Sequence, residues 1–488
     1  MERIKKFIRS DFFILGPILL FILLRFPSLF EPNWYGDEGI YQIIGHALRE
    51  GRMLYSEAWD NKPPLLYLIY ALADGSQFLT RLFSLIVGVL TVIVFFHLTN
   101  RIFTRRSVSA GLTFIFALLF GSPYLEGNIA NAENFMLLPI LLGLLLAYDV
   151  LTKKRIRISY LKNKSLILFI VGILFGTAFT IKVVGVFEFL AVTTLIFFFY
   201  EEKIKLKVKW LTCLLLGFIV PISLMGVYFL TSGQLSPFLE SFLYSNVSYV
   251  GYHNYFLLPQ GLLILKVLIL LISLITIKFF SKKLSFELIF ILVWFCFSIF
   301  SSFFSQRSYT HYVLLAMPAI LCLGGYIFSQ KRINLVALTC YGALLVFLFF
   351  HFKPYPAGKT IAYYGNFLSF VFGKNDTGNY QRFFDSDVPR DYAVAEYIKM
   401  KQNPGDPLFI WGNSAQIYLL SETLPVGRYT VAYHINNDEA VKETIKALKQ
   451  KNPRFIIILK DEPQKNLPLT DYAYLLTIDG AAVYEKTN

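Results

Sequence analysis

Between residues 11 and 352 the apolar positions run in blocks of about 17 to 25 residues, the length that crosses ~30 Å of hydrocarbon as a helix. The blocks fall at 11–30, 77–99, 107–122, 134–151, 165–182, 183–200, 210–231, 260–279, 286–304, 311–329 and 334–352, predicting about eleven transmembrane helices. Short basic clusters separate them. Arg3, Lys5, Lys6 and Arg9 precede the first block, and Arg101, Arg105 and Arg106 follow the second. Later turns carry Lys153, Lys154, Arg155, Arg157, Lys162 and Lys164, then Lys203, Lys205, Lys207 and Lys209, then Lys278, Lys282 and Lys283, then Lys331 and Arg332. Such clusters mark cytoplasmic loops. Every second turn is therefore read as inside, the N-terminus as cytoplasmic, and residues 31–76 and the C-terminus as outside. The pair 165–182 and 183–200 has almost no outer turn at Lys182-Val183, and a re-entrant hairpin there would preserve the parity.

Two shorter helices are legible in the loop 31–76. In 37–50, Ile40, Ile43, Ile44, Ala47 and Leu48 form one apolar face, with Asp37 placed as N-cap and Gly51 just past the C-terminus. Such a helix is expected to lie in the membrane interface rather than to span. The second starts at Pro63, runs through Leu65–Ala73, stops at Asp74-Gly75 and is too short to cross. After residue 352 the hydropathy changes. Residues 353–388, rich in Gly, Asn, Asp, Tyr and Pro, read as a linker or irregular loop. From 389 onward the pattern is that of a small α/β domain. Helices are expected near 389–402, 413–421 and 438–450, strands at Leu408–Trp411 and Phe455–Leu459, and a strand or hairpin over 473–485. The chain thus divides into a membrane domain 1–352, a linker 353–388 and an outer domain 389–488, with no repeat and no glycine-rich phosphate loop.

Composition agrees. The 488 residues are 56% hydrophobic and only 16% charged, against roughly 25% charged in soluble domains, and mean hydropathy is +0.55. The chain is an integral membrane protein. Its net charge of +14 lies in turns between apolar blocks, so topology accounts for it and nucleic acid does not. Cys213, Cys296, Cys322 and Cys340 sit inside apolar segments without CxxC spacing, reading as small buried hydrophobes, neither disulfides nor metal ligands. The first block leads into motif-like sequence rather than an A-x-A site, so it is not read as a cleavable signal.

The candidate chemistry gathers in the outer loops. Trp34-Tyr35-Gly36-Asp37-Glu38-Gly39 follows the first span directly, and an acidic pair at the bilayer edge is costly without a purpose. Moving a sugar from a phosphate needs a carboxylate to take the acceptor's proton. Asp37 and Glu38 are placed for this, while capping a helix and facing water are the plainer roles. Lys62, pinned before Pro63-Pro64, is either a point charge for a lipid phosphate or a lysine snorkelling to bulk lipid. Trp34, Tyr35, Tyr55 and Trp59 form an aromatic belt or stack on sugar. Glu133, in Asn131-Ala132-Glu133-Asn134, either joins Asp37 across a cavity or simply favours a helix start, with Glu126 nearby. Lys182 has no adjacent carboxylate and is either a phosphate contact or a snorkelling lysine. Arg307, Tyr309, His311 and Tyr312 make a polar outer edge before Met317-Pro318, with His311 a proton donor or a satisfied interfacial histidine.

The patterns W-Y-G-D-E-G, N-K-P-P-L-L-Y, A-N-A-E-N and H-Y-x-x-x-x-x-P resemble the bacterial relatives of protein O-mannosyltransferases and of the lipid A aminoarabinose transferase, GT-C class glycosyltransferases that use polyprenyl-phosphate sugars. The resemblance covers residues 1–330, and the two first-loop motifs are its specific part. It implies an α-helical polytopic membrane protein of GT-C fold with catalytic outer loops, inversion at the sugar and usually no required metal, a divalent metal being compatible but not indicated. It also implies Asp37 as catalytic acidic residue with Glu38 as motif partner, Glu133 as second acidic position and Lys62 as the motif lysine. Asn61 replaces the acidic residue usual before that lysine. With Lys182, Arg307, His311, Tyr35 and Trp59 as donor-phosphate or substrate contacts, the expected activity is hexosyl transfer, mannose foremost, at the outer face of the plasma membrane. The donor is a polyprenyl-phosphate sugar; the acceptor is a protein, lipid or glycan. Phe409-Ile410-Trp411-Gly412 and Ile417-Tyr418-Leu419-Leu420 resemble the outer domain of bacterial members. A flippase for lipid-linked sugar would predict broken helices, mid-bilayer polar residues and inverted repeats, which the sequence lacks. An oligosaccharide ligase would concentrate basic residues in a large outer loop, whereas 232–259 has neither Lys nor Arg; an oligosaccharyltransferase would be expected to show D-x-D.

Overall fold

A computed structural model describes residues 2–152, 163–251, 253–255, 257–460 and 467–487, with side chains from residue 13. The basic residues Lys153, Lys154, Arg155, Arg157 and Lys162 lie outside the described residues, as do the side chains of Arg3, Lys5, Lys6 and Arg9. Each expected apolar block is helical. Eight helices among the described residues are long and apolar enough to cross a bilayer: Phe13–Phe30, Gln77–Ile102, Ala132–Leu151, Lys164–Ile181, Ile204–Thr231, Gly261–Lys283, Thr310–Phe328 and Leu335–Phe352. The other three expected spans are the shorter apolar helices Arg106–Gly121, Val183–Phe199 and Phe286–Ser302. The tight pair breaks where its missing turn was read: Lys182 is extended, and a short 3-10 turn Val183–Gly185 leads into the next helix. The protein is an α-helical polytopic membrane chain with a small C-terminal sheet.

The chain divides into two compact units. The first comprises Met1–Phe26, Leu82–Tyr228 and Asn246–Thr360. Within it Thr310–Phe328 is central, with 83% of its apolar window buried, whereas Gly261–Lys283 and Leu335–Phe352 are peripheral at 6% and 11%. Helices Lys164–Ile181 and Ile204–Thr231 cross where Gly172 meets the Leu214 carbonyl and Gly217 meets that of Phe169, so any side chain there would strike backbone. Small residues are how helices approach closely in lipid.

The second unit comprises Pro27–Arg81, Phe229–Ser245 and Ile361–Asn488. Its sheet has β1 (Pro407–Trp411), β2 (Leu424–Pro425), β3 (Phe455–Ile458), β4 (Tyr472–Ile478) and β5 (Ala481–Lys486) in the order β2-β1-β3-β5-β4. β1 runs parallel to β2 and β3, while β5 is antiparallel to both β3 and β4. Phe409, Trp411, Val426, Leu448 and Ile456 form its core. The first-loop helices Gly36–Arg49 and Pro64–Ala73 belong to this unit and pack on each other. Gly45 allows it, because its Cα faces the Tyr70–Ala71 backbone with no room for a Cβ.

Four expectations change. The apolar face of Gly36–Arg49, read as facing a membrane interface, is covered by protein: Pro64–Ala73 and the helix Gln416–Leu420 take it up. Asp37 is not the N-cap, since the helix starts one residue earlier with Tyr35 capping and no side-chain cap bond. Residues 353–388 are not irregular throughout, for Ala357–Val371 and Thr377–Arg382 are helical. Tyr363 and Phe367 are buried there, against Glu31 and Phe30, and this packing outweighs the poor helix propensity of Gly358 and Gly365. Of the cysteines, all free, only Cys322 is buried; Cys340 is exposed on its peripheral helix.

Candidate functional site

Asp37 and Glu38 stand in the first turn of Gly36–Arg49, where the helix dipole favours negative charge. They face opposite ways. Glu38 is buried and ion-paired with Arg81, which also holds Glu31 at 3.2 Å, all three buried. Glu31 accepts two further hydrogen bonds, from the Tyr363 hydroxyl at 2.6 Å and the Trp34 indole N–H at 2.8 Å. Such a triad holds only while complete, because an unmatched buried charge is strongly unfavourable. It pins the start of the helix. Asp37 is half-buried and its Oδ2 accepts from the Tyr41 hydroxyl at 3.2 Å. Burial, then the charges of Asp37 and Asp60, hold the Tyr41 hydroxyl well above its usual pKa, so it stays a donor. Tyr35 lies edge-on to Trp34, with ring centroids 5.3 Å apart.

Lys62 follows a turn built on Asp60. The Asp60 carboxylate is buried and accepts from the Tyr67 hydroxyl and from the Asn61 N–H, both at 2.7 Å. Burial opposes its ionisation, but the Lys62 charge and these hydrogen bonds prevail and hold its pKa below the usual carboxylate range. The Lys62 Nζ donates to Asn61 Oδ1 at 2.8 Å, and its carbonyl accepts from the Tyr55 hydroxyl at 2.7 Å. His434 brings its Nε2 to 3.7 Å from Asp60, and burial lowers the pKa of its ring to about 4. Trp59 stands edge-on to His434 and Tyr429, and its backbone N–H donates to the Arg428 carbonyl at 2.9 Å.

The other candidates meet in the first unit. Glu133, in the first turn of Ala132–Leu151, forms a buried ion pair with Lys182, whose sequence neighbours had shown no carboxylate. Helix packing supplies the missing partner. The Lys182 ammonium also lies 4.2 Å over the ring of Tyr312, and the Tyr312 hydroxyl bonds that of Tyr249. The Arg307 guanidinium sits 4.5 Å over the Tyr249 ring and donates to the Tyr309 hydroxyl at 3.2 Å. His311 pairs through Nδ1 with Glu126 Oε2 at 2.7 Å, so it is a partnered, buried histidine.

Glu31, Arg81, Asp60, His434 and Tyr249 went unread in the sequence. Arg81 carried a signal, as an arginine just inside an apolar block. Asp60 carried another, two residues before Lys62 where Asn61 had replaced the expected acid. His434 carried none, because only the fold brings it to residue 60. Among the described residues, no group of three or more His, Cys, Asp or Glu is placed to hold a metal.

Residues 62–225 match the family model for dolichyl-phosphate-mannose-protein mannosyltransferase. No curated protein matches the sequence. Among solved structures, ArnT from Cupriavidus metallidurans bound to undecaprenyl phosphate is similar with a TM-score of 0.59 and 14% identity, over 97% of this chain and 98% of that one. The same protein in the apo state gives 0.53 and 16%, over 96% and 98%. The oligosaccharyltransferase AglB from Archaeoglobus fulgidus, in complex with an inhibitory peptide and a dolichol-phosphate, gives 0.47 and 11%, over 93% and 69%. The chain therefore shares the fold of ArnT over nearly its whole length, and about a third of it, in its first half, matches the mannosyltransferase family model.

Proposed function

We propose that this protein is an inverting glycosyltransferase that moves a sugar, mannose or another hexose, from a polyprenyl-phosphate donor to an acceptor at the outer membrane face. The N-terminus is cytoplasmic and residues 353–488 lie outside. One observation carries the reading. Asp37 is a half-buried carboxylate whose one side-chain hydrogen bond among the described residues comes from the Tyr41 hydroxyl, on a helix start immobilised by the Glu31–Arg81–Glu38 triad. The family match, and the undecaprenyl phosphate bound to the similar ArnT, support a lipid-phosphate donor.

The Asp37 carboxylate takes the acceptor's proton as the acceptor oxygen bonds to the anomeric carbon. The bond from that carbon to the phosphate oxygen breaks on the opposite face, its electron pair leaving with the polyprenyl phosphate. A single displacement of this kind inverts the sugar. Lys62 is the cation assigned to the departing phosphate. Lys182 serves differently, because Glu133 already neutralises it: the pair positions Tyr312. Glu38 is a positioning residue acting through Arg81. Trp59, enclosed by His434 and Tyr429, holds the Lys62 turn and leaves Tyr35 as the first-loop aromatic for the sugar.

The test is Asp37→Asn, assayed by release of polyprenyl phosphate from a synthetic polyprenyl-phosphate hexose. Turnover should fall by about 10²–10⁴ with donor affinity kept. Near-parental turnover would remove Asp37 from the chemistry.

A further inference from the structure

Helices Phe286–Ser302, Val313–Phe328 and Leu335–Phe352 enclose a cavity of about 670 Å³ that touches none of the residues assigned to transfer. Its size falls within the ~300–1,000 Å³ of small-molecule sites. Its walls are apolar, with Leu292, Phe295, Leu323 and Leu344 among them. Its polar end is the turn between two spans, where Gln330, Arg332 and Asn334 line it. Asn334 already caps the next helix, accepting from the N–H groups of Val336 and Ala337, and Gln330 donates to the Tyr326 carbonyl. Arg332 is exposed and, among the described residues, makes no ion pair or hydrogen bond.

We propose that this cavity binds one anionic phospholipid, an acyl chain lying along its apolar walls and the phosphate on Arg332. Three features select that occupant. Leu335–Phe352 is exposed over nearly its whole length, so a chain can enter from the hydrocarbon. Arg332, the one cation among the described lining residues, stands at the end of the spans, at head-group depth, where basic pockets between helices recognise anionic head groups. A zwitterionic head group would oppose the guanidinium with its own cation, and free phosphate would leave the apolar walls unfilled.

Native mass spectrometry of the full chain would be run against added phosphatidylglycerol, phosphatidylcholine, inorganic phosphate and a polyprenyl phosphate. Phosphatidylglycerol should be retained as one tight adduct. Arg332→Gln should weaken that adduct about tenfold, as expected for loss of a charge-assisted hydrogen bond, and leave phosphatidylcholine unchanged. Ala337→Phe, which puts a ring into the cavity, should remove the adduct. Equal retention of both phospholipids by the parent and by Arg332→Gln would make this an annular lipid position and overturn the proposal. Preference for polyprenyl phosphate, or displacement of the lipid by inorganic phosphate, would overturn the phospholipid assignment.

Discussion

Asp37 and Glu38 are neighbours whose surroundings assign them different work. Asp37→Asn touches one hydrogen bond and should leave folding intact, whereas Arg81→Met strips the charge partner from both Glu31 and Glu38. Loss of a buried partner costs about 3–5 kcal/mol. Arg81→Met should therefore lower the melting temperature of the purified chain far more than Asp37→Asn does, and an unchanged melting temperature would refute the triad. His434 supplies a pH dependence. An unfolded chain protonates this ring below 6.5, the folded chain only below about 4. Between those values the unfolded state binds more protons, so stability falls as pH falls. From pH 7.5 to 5 the loss is about 2 kcal/mol. Asp60 stays ionised throughout that window and adds nothing to it. Thermal melts of the parent should show this drop, and His434→Gln should flatten it. The acidic pair and Lys62 were legible at this scale because charge beside the bilayer stands out in a sequence. Their partners were not, since residues 31, 81, 363 and 434 meet only through tertiary packing.

Among the elements, periodicity and length located the apolar blocks and the first-loop helices because each signal is local. The helix Ala357–Val371 escaped because its stabilising contacts come from residues 30 and 31, which a local pattern does not contain. The two-residue strand β2 escaped likewise, being defined by pairing with β1 alone. Close helix crossings are intermediate, for Gly172-Ile173-Leu174-Phe175-Gly176 is a G-x-x-x-G pattern whose partner helix the sequence does not name. Gly172→Leu would drive a side chain into the Leu214 carbonyl, while the exposed Gly111 faces open space. Overpacking of this kind costs about 1–3 kcal/mol or more. Gly172→Leu should lower the melting temperature or abolish monodisperse purification, and Gly111→Leu should do neither. Equal behaviour of the two would mean that the crossing is looser than its backbone contact.

At the scale of the whole molecule, the second unit is assembled from three stretches of chain far apart in sequence, 27–81, 229–245 and 361–488. Its first-loop part carries Asp37 and Lys62 and depends on the last part at several points. Gly39 sits against Gln416 and Gly75 against Leu419. The Trp59 backbone N–H donates to the Arg428 carbonyl, and the Tyr363 hydroxyl donates to Glu31. None of these contacts exists until the C-terminal residues have been made. Ending the chain after Phe352 removes every one of them and leaves all eleven expected spans in place. Such a chain should still insert in membranes, because insertion follows the apolar blocks. It should lack transferase activity, and trypsin should cut it at Arg49 and Arg52 faster than the full chain. If the shortened chain turns over donor at the parental rate, the C-terminal residues have no part in holding the loop.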